Sequence, residues 1–265
     1  MDLIQTIILS LIQGVTEFLP VSSSAHLILV PKLTNWNDQG LAFDIVLHLG
    51  TLSAIVFYFK IQIKQLLLDF FNSIHQQRSI GESKMAWGVI LGTIPVGLVG
   101  LFFKDFIELH LRSIEVIAYS TLIFGILLGF ADWFNAKKES HRTSINWFDI
   151  LIIGSFQAIA LIPGTSRSGI TITAGLLLGL SRQLSAQFSF LLSIPVIILS
   201  AILTTKDIIE SPEKINLWFL FLGFSISGLF AYLTITWFMK LIEKSGMLPF
   251  VIYRLILGLL LFTYA

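Results

Sequence analysis

The chain has no cysteine and little charge, and both absences narrow what it can be. Only 12% of its 265 residues are charged and 55% are hydrophobic, whereas soluble domains carry roughly 25% charged residues. The lack of cysteine excludes disulfides, thiolate nucleophiles and cysteine-ligated metal sites. The net charge is +1 without a block of Lys or Arg, so nothing favours nucleic acid as a partner. These values are typical of an integral membrane protein.

Two further sequence patterns are missing. The N-terminus lacks a basic region and a small-residue cleavage site, so we expect Leu3 to Leu19 to be mature structure rather than a signal peptide. The alternating pattern of a β-barrel is absent, whereas uncharged runs such as Met85 to Phe103 and Gln183 to Thr205 are long enough to cross about 30 Å of hydrocarbon as helices. We therefore predict an all-α, polytopic membrane protein with about six transmembrane helices.

Two polar motifs interrupt the apolar sequence. They are EFLPVSSSAH, from Glu17 to His26, and PGTSRSG, from Pro163 to Gly169. Each motif places an ionisable group where an ionised side chain costs on the order of 3 kcal/mol or more, so these residues are candidates for function. Because non-helical backbone inside a membrane has to be buried in protein or line a wet cavity, we predict two re-entrant hairpins built from broken helices.

The motifs also indicate an internal repeat within a single membrane domain, residues 1–265. Aligning Pro20 with Pro163 superposes the hydroxyl-rich residues that follow each proline. Each half then holds one hairpin and three spans, an odd number, so the second hairpin enters the membrane from the opposite face. Lys and Arg are more numerous in the loops assigned to the inside, as the positive-inside rule requires. We predict an inverted-topology repeat, about 1–135 and about 145–265, whose breaks meet near the midplane.

The first motif carries the residue types of an acid–base site. Gln13 and Glu17 share one helix face, where they can hold a common ligand or cation, or face a helix end or a neighbouring hydroxyl. His26 adds a group that can attack, accept or donate a proton. Three serines can either cap the next helix or supply a nucleophile beside a base: Ser22, Ser23 and Ser24.

Arg167, in the second motif, is the costliest residue of the chain to place in a membrane. Its planar guanidinium suits a phosphate bidentately, and the glycines on both sides let the backbone approach a ligand. The helix that restarts near Ile170 aims its N–H groups at an anion. The alternative is a structural ion pair with Glu17, which an empty phosphate site can also contain.

Two other polar pairs have simpler interpretations. Asp44 and His48 repeat the four-residue spacing on the first long span, and we interpret them as a buried, hydrogen-bonded pair. Tyr253 and Arg254 can bind a headgroup, but an interfacial aromatic beside a snorkelling arginine explains them without a function.

At these residues the chain resembles the undecaprenyl-diphosphate phosphatase family of the bacitracin-resistance type. The family's first motif has Glu or Gln, then three residues, then Glu, and this chain has the Gln form. The resemblance extends over essentially the whole chain, and four stretches carry it: QGVTEFLPVSSSAH from Gln13 to His26, FDIVLHLGT from Phe43 to Thr51, PGTSRSGITI from Pro163 to Ile172, and FVIYR from Phe250 to Arg254.

The resemblance implies a membrane phosphatase that hydrolyses a polyprenyl diphosphate and returns the lipid carrier to cell-wall synthesis. It implies an inverted-repeat fold in the bacterial inner membrane, dimerisation, and a divalent cation, Mg²⁺ or Ca²⁺, for which Glu17 and Gln13 are the candidate ligands. The rival hypothesis is a polyprenyl-phosphate flippase or secondary transporter, because transporters also use inverted repeats with broken helices. A transporter needs the arginine but not an activated nucleophile.

The resemblance assigns catalysis to Glu17, Ser23 and His26, and diphosphate binding to Ser166 with Arg167. The chemistry of its guanidinium makes Arg167 a catalytic candidate as well. Ser23, His26 and a water activated by Glu17 all remain candidate nucleophiles. We expect seven residues to contact the substrate: Gln13, Ser22, Ser24, Thr165, Ser166, Arg167 and Ser168.

Overall fold

The computed structural model describes residues 1–210 and 216–264, so positions 211–215 and 265 of the expected second repeat lie outside the described residues. The described part is helical and contains no β-strand, which confirms the predicted all-α fold. Its helices are α1 Leu3–Thr16, α2 Ser23–Thr34, α3 Leu41–Tyr58, α4 Lys60–Gln76, α5 Ser83–His110, α6 Ile114–Ala136, α7 Trp147–Ile159, α8 Arg167–Leu177, α9 Arg182–Glu210, α10 Leu217–Ser245 and α11 Leu248–Leu261.

Five of these helices are long and apolar enough to cross a membrane: α3, α5, α6, α9 and α10. About six spans were expected from the sequence. The sixth expected span corresponds to α11, which has 14 residues. At roughly 1.5 Å per residue it is only about 21 Å long, which is shorter than the hydrocarbon core. Large apolar side chains such as Phe102 and Ile202 are exposed on the long helices, as expected for surfaces that face lipid. The chain is therefore a multi-pass membrane protein.

The chain leaves helical geometry at both polar motifs, between α1 and α2 and between α7 and α8. The N-caps of these four short helices correspond in type and position, because Asp2 with Asn146 and Ser22 with Ser166 share one separation along the chain. The buried residues Gln13 of α1 and Gln157 of α7 have the same separation. The alignment of Pro20 with Pro163 is therefore one residue out of register. The cap residues, rather than the prolines, occupy equivalent places.

Helices from the two halves pack against each other. α10 lies on α1 and α3, whereas α5 lies on α7 and α9, and α6 packs on α8 and α11. Two contacts depend on glycine: a Cβ on Gly14 would lie 2.7 Å from the carbonyl oxygen of Ser227, and a Cβ on Gly154 would lie 2.7 Å from the Cα of Gly92. Such close approach lets apolar helices associate by van der Waals packing. This packing holds α1 against α10 and α7 against α5, so that a short helix next to each break is fixed to a long helix of the other half.

The loop between α6 and α7, which leads into the second pair of short helices, lies outside the spans and is held by side-chain hydrogen bonds. There the guanidinium of Arg142 donates two hydrogen bonds of 2.7 Å to the carboxylate of Asp149 and one to the carbonyl of Leu178. The hydrogen bonds to Asp149 raise the pKa of Arg142. Asp149 also accepts from the backbone N–H of Asn146 in a capping box, so one carboxylate orders both the loop and the start of α7.

Candidate active site

The two helix breaks touch each other beside a cavity of about 290 Å³. The hydroxyl of Ser168 donates to the carbonyl of Leu19 at 2.8 Å, which joins the second break to the first. α9 supplies a wall of the cavity that is apolar apart from Ser200 and Thr204. The other polar lining residues come from both motifs and from α3: Glu17, Ser22, Ser23, Ser24, Asp44, His48, Ser166 and Arg167.

Glu17 is the centre of the polar contacts. One carboxylate oxygen, Oε2, accepts from the Ser23 hydroxyl at 2.6 Å and from Nε2 of Gln13 at 3.0 Å. The other, Oε1, accepts from Nη2 of Arg167 at 3.0 Å. Only 8% of Glu17 is exposed, so these partners replace water around the carboxylate. A hydroxyl held this close to a carboxylate has its base in place.

Arg167 faces the same cavity and is ion-paired with Glu17, as the structural alternative expected. Its Nη1 also donates to the carbonyl of Ser189 at 3.2 Å. A guanidinium has five N–H donors, and these contacts use two of them. The ion pair therefore leaves Arg167 with donors that can reach an anion in the cavity, and the structural and phosphate-binding interpretations are compatible.

Ser22 and Ser166 are the N-caps of α2 and α8, and their hydroxyls accept from the backbone N–H groups of Ala25 and Gly169. Both serines have positive φ, 72° and 70°, in the region that favours glycine. Non-glycine residues there cost on the order of 1–3 kcal/mol, and such strain clusters at functional sites. The strained caps turn two helix N-termini toward one cavity, which is an arrangement suited to an anion.

His26 does not line the cavity. Its Nδ1 lies 2.7 Å from the carbonyl oxygen of Ser22, and its Nε2 lies 2.5 Å from the hydroxyl of Tyr253. The two rings are stacked, with centroids 5.8 Å apart. Because both ring nitrogens are engaged away from the cavity, the structure brings Glu17, Ser23 and Arg167 together but leaves His26 outside.

Three of the expected substrate contacts also lie behind the cavity wall. Gln13, Thr165 and Ser168 are fully buried and do not line the cavity. The side chains of Gln13 and Ser168 are instead engaged by hydrogen bonds within the protein. Gln13 supports Glu17 and Ser168 joins the two loops. The Oε1 of Gln13 and the hydroxyl of Thr165 have no hydrogen-bond partner among the described residues.

His48 is a cavity residue that the sequence did not identify. Its Nδ1 lies 2.7 Å from the backbone carbonyl of Asp44, one helical turn earlier. The two residues are hydrogen-bonded as predicted, but through the Asp44 backbone, because the Asp44 side chain accepts from Gln39 at 2.9 Å. With Nδ1 engaged, Nε2 of His48 points toward Glu17 at 3.7 Å. The four-residue spacing was visible in the sequence, but only helix packing shows that this face lines the cavity.

Arg254 is the second residue that sequence reasoning missed. The snorkelling interpretation is wrong, because the side chain is fully buried and points inward. Its guanidinium donates to backbone carbonyls of both helix breaks and of α6, which ties the two loops to one helix: Pro20, Gly164, Thr165, Ser120 and Thr121. One side chain therefore fixes the spacing of the two motifs.

We expect Arg254→Met to destabilise the protein by about 3 kcal/mol or more, because several buried carbonyls lose their donor at roughly 1–3 kcal/mol each. The thermal unfolding midpoint in detergent should fall clearly. Arg78→Met removes an exposed arginine whose guanidinium donates to the side chain of Gln76, and it should leave the midpoint unchanged. Equal midpoints for the two variants would contradict this assignment.

The cavity can accommodate a divalent cation only in part. No group of three His, Cys, Asp or Glu residues that could hold a metal occurs in the described ranges. Mg²⁺, however, is commonly bound through one or two carboxylates together with substrate phosphates. The carboxylates of Glu17 and Asp44 line the cavity, whereas Gln13 does not. The donor set thus fits a cation shared with a phosphate ligand better than a site built only from protein groups.

The chain is similar to known proteins over nearly its whole length. A family described as "Bacitracin resistance protein BacA" matches residues 6–260. The chain is 62% identical over 262 residues to a protein named "Undecaprenyl-diphosphatase" from Vesicomyosocius okutanii, with 99% of each chain covered. It is 60% identical to a protein of that name from Ruthia magnifica, covering 100% of this chain and 99% of the relative. An "Undecaprenyl-diphosphatase 2" from Stutzerimonas stutzeri is 56% identical, with 98% and 97% covered.

Proposed function

Because this chain belongs to the family of bacitracin resistance protein BacA, we propose that it is an integral membrane phosphatase acting on undecaprenyl diphosphate. It hydrolyses this lipid to the monophosphate and inorganic phosphate, which recycles the carrier for cell-wall synthesis. The observation that carries the proposal is the 2.6 Å hydrogen bond from the Ser23 hydroxyl to Glu17, on the same carboxylate that pairs with Arg167.

The first chemical step is attack by the Ser23 oxygen on the terminal phosphorus. Glu17 takes the hydroxyl proton as the new O–P bond forms. The bond from that phosphorus to the bridging oxygen breaks, and the polyprenyl monophosphate leaves. In the second step, water attacks the phosphoserine, inorganic phosphate departs, and the proton on Glu17 returns to the Ser23 oxygen.

Charge in the cavity favours the transferred phosphoryl group. Phosphoryl transfer depends chiefly on positioning and on stabilising negative charge at the phosphoryl oxygens. Arg167 supplies the cationic donors, and the N-termini of α2 and α8 supply backbone N–H groups beside Ser24 and Ser166. When the diphosphate enters, it competes with Glu17 for the guanidinium. This competition releases the carboxylate to act as a base.

We propose that Glu17 would help to hold a divalent cation, Mg²⁺ or Ca²⁺, when the diphosphate is bound. Such an ion would supply additional positive charge beside the phosphate. Gln13 is proposed to orient Glu17, since its amide donates to that carboxylate and lies outside the cavity. His26 is proposed to position the start of α2 through the carbonyl of Ser22.

The flippase or transporter alternative is less well supported. It accounts for an arginine between two broken helices but gives no role to a serine held against a buried carboxylate. The relatives reported above are named as diphosphatases, and their similarity covers nearly the whole chain. We place the enzyme in the bacterial inner membrane as part of the proposal. Homodimerisation stays a prediction, to be tested by the mass of the purified protein–detergent complex.

The proposal is tested by phosphate release from undecaprenyl diphosphate by the purified protein in detergent. A hydrolase needs no second compartment, so we expect turnover in micelles that contain no sealed vesicles. Adding EDTA should abolish turnover, and excess Mg²⁺ or Ca²⁺ should restore it. Lipid transport in vesicles without phosphate release in micelles would favour the transporter instead.

His48 and His26 provide a comparison between two histidines at different distances from the chemistry. We expect His48→Ala to lower kcat by about tenfold or more, because this residue lines the cavity and lies beside Glu17. His26→Ala should change kcat only a few-fold, since it removes support for α2. Steady-state kinetics on both variants, with unfolding midpoints measured in parallel, test the assignment. A larger loss for His26→Ala would reverse it.

A further inference from the structure

A second cavity, of about 260 Å³, lies beside the active-site cavity between α5 and α9. The two cavities share a ridge of α9 formed by Val196, Ser200 and Thr204. These residues are spaced four apart and therefore stand in one row along the helix. The second cavity is thus a continuation of the first, reached across a row of small and medium-sized side chains.

The chemistry of this second cavity differs from that of the first. Apart from Ser200, Thr204 and Lys104, its lining is apolar: Val96, Gly97, Gly100, Ile107, Leu161, Val196, Leu199 and Leu203. None of the catalytic candidates borders it. A ligand that spans both cavities would therefore need a charged end in the first and an apolar part in the second.

Two glycines of α5 keep the second cavity open. A Cβ on Gly97 would meet no atom within 4 Å, and a Cβ on Gly100 would meet only a Leu161 methyl at 4.0 Å. Gly88 and Gly92 of the same helix differ, because a Cβ there would lie 2.8 Å and 3.1 Å from side chains of Ile150 and Leu192. Glycine inside a helix is less favourable than alanine. Packing explains Gly88 and Gly92, but it does not explain Gly97 and Gly100.

We propose that this groove between α5 and α9 binds the isoprenoid units of the substrate that follow the diphosphate. The inference rests on the proposed function, which places the diphosphate in the adjoining cavity. Gly97 and Gly100 are then specificity-determining residues, because side chains at these positions would occupy the space of the prenyl chain. Ser200, at the centre of the shared row, marks where the chain crosses from one cavity to the other.

The test compares Gly97→Leu and Gly100→Leu with wild type on diphosphates of different prenyl length. For undecaprenyl and farnesyl diphosphate we expect KM to rise about tenfold, because apolar contact area is lost, with kcat within twofold. For dimethylallyl diphosphate, which has one isoprene unit, kcat/KM should not change. Leu101→Trp adds bulk at an exposed position on α5 and is the matched control. It should behave as wild type with every substrate.

The outcomes separate this inference from the proposed function. Leucine should not unfold the helix, since it favours helix more than glycine does, and unfolding midpoints verify this. If the folded glycine variants keep the wild-type KM for long substrates, the groove does not hold the prenyl chain and is filled by bilayer lipid. A fall in kcat with every substrate would also overturn the inference, because it would indicate a distorted catalytic site. Absence of phosphate release by wild type would instead refute the proposed function.

Discussion

Arg167→Ala should lower kcat/KM for phosphate release by about 10³-fold or more. An arginine that neutralises a transferred phosphoryl group contributes roughly 10³–10⁵ in rate, and loss of one oxyanion donor costs roughly 10²–10³. Arg167 begins α8 and lines the cavity together with Ser23, and no other Lys or Arg is among the described lining residues, so its side chain is the principal positive charge available to the phosphate. The measurement is steady-state phosphate release from undecaprenyl diphosphate in detergent.

Stability has to be separated from catalysis in this experiment, because Arg167→Ala leaves the buried Glu17 without its ion-pair partner. The double variant Arg167→Ala with Glu17→Gln removes that isolated charge and should recover the unfolding midpoint without recovering activity. Arg182→Ala is a matched control, since Arg182 forms a 2.6 Å ion pair with Asp132 away from the cavity. It should retain most of the activity. Normal turnover by Arg167→Ala would remove Arg167 from the phosphate site.

The helical fold was predictable because the lipid bilayer requires every backbone polar group to be hydrogen-bonded within the protein. Scarce charge and long apolar runs leave helices as the structure that satisfies the backbone in lipid, and the two polar motifs marked the helix breaks. The register of the repeat was less predictable. The sequence alignment was based on Pro20 and Pro163. In the structure the equivalent residues are Ser22 and Ser166, which are helix caps with positive φ. A cap is recognised by its hydrogen bond, which the sequence does not display.

The site was predictable where residues lie next to a helix break and less so elsewhere. Glu17, Ser23 and Arg167 face one cavity because both breaks leave their helix ends side by side. The sequence also grouped His26 with them, but residues on the first turn of α2 diverge, and His26 turns to Tyr253. His48 enters the cavity from α3, and its direction depends on packing between helices that are distant in the sequence.

The role of Arg254 could not be predicted either, because it depends on residues that are distant in the sequence. An arginine in a short apolar helix is ordinarily expected to reach the interface. The carbonyls that receive its hydrogen bonds belong to both helix breaks and to α6, more than eighty residues away in every case. Broken helices expose carbonyls that have lost their intrahelical donors, and a buried guanidinium can satisfy several of them at once. The need for that donor appears only after the breaks are assembled.

Ser23→Ala should reduce kcat by about 10³-fold or more, with little change in unfolding midpoint. The hydroxyl is the proposed nucleophile and makes a 2.6 Å contact with its base, Glu17. Ser22→Ala tests the neighbouring serine, which acts as an N-cap and lacks that contact; its main effect should be a loss of stability of about 1 kcal/mol. Mass spectrometry of acid-quenched enzyme should find the transferred phosphate on Ser23.

The rate of Ser23→Ala and a trapped phosphoserine together separate serine attack from direct attack by water. If Glu17 acts by accepting the Ser23 proton, Glu17→Gln and Ser23→Ala remove the same step, and combining them should cost hardly more than the worse single change. If Glu17 instead activates water, Ser23→Ala should retain substantial activity, the double variant should match Glu17→Gln alone, and no phosphoserine should form. The serine mechanism therefore requires both a near-complete loss in Ser23→Ala and a trapped adduct, since a low rate alone is also expected from a misplaced base.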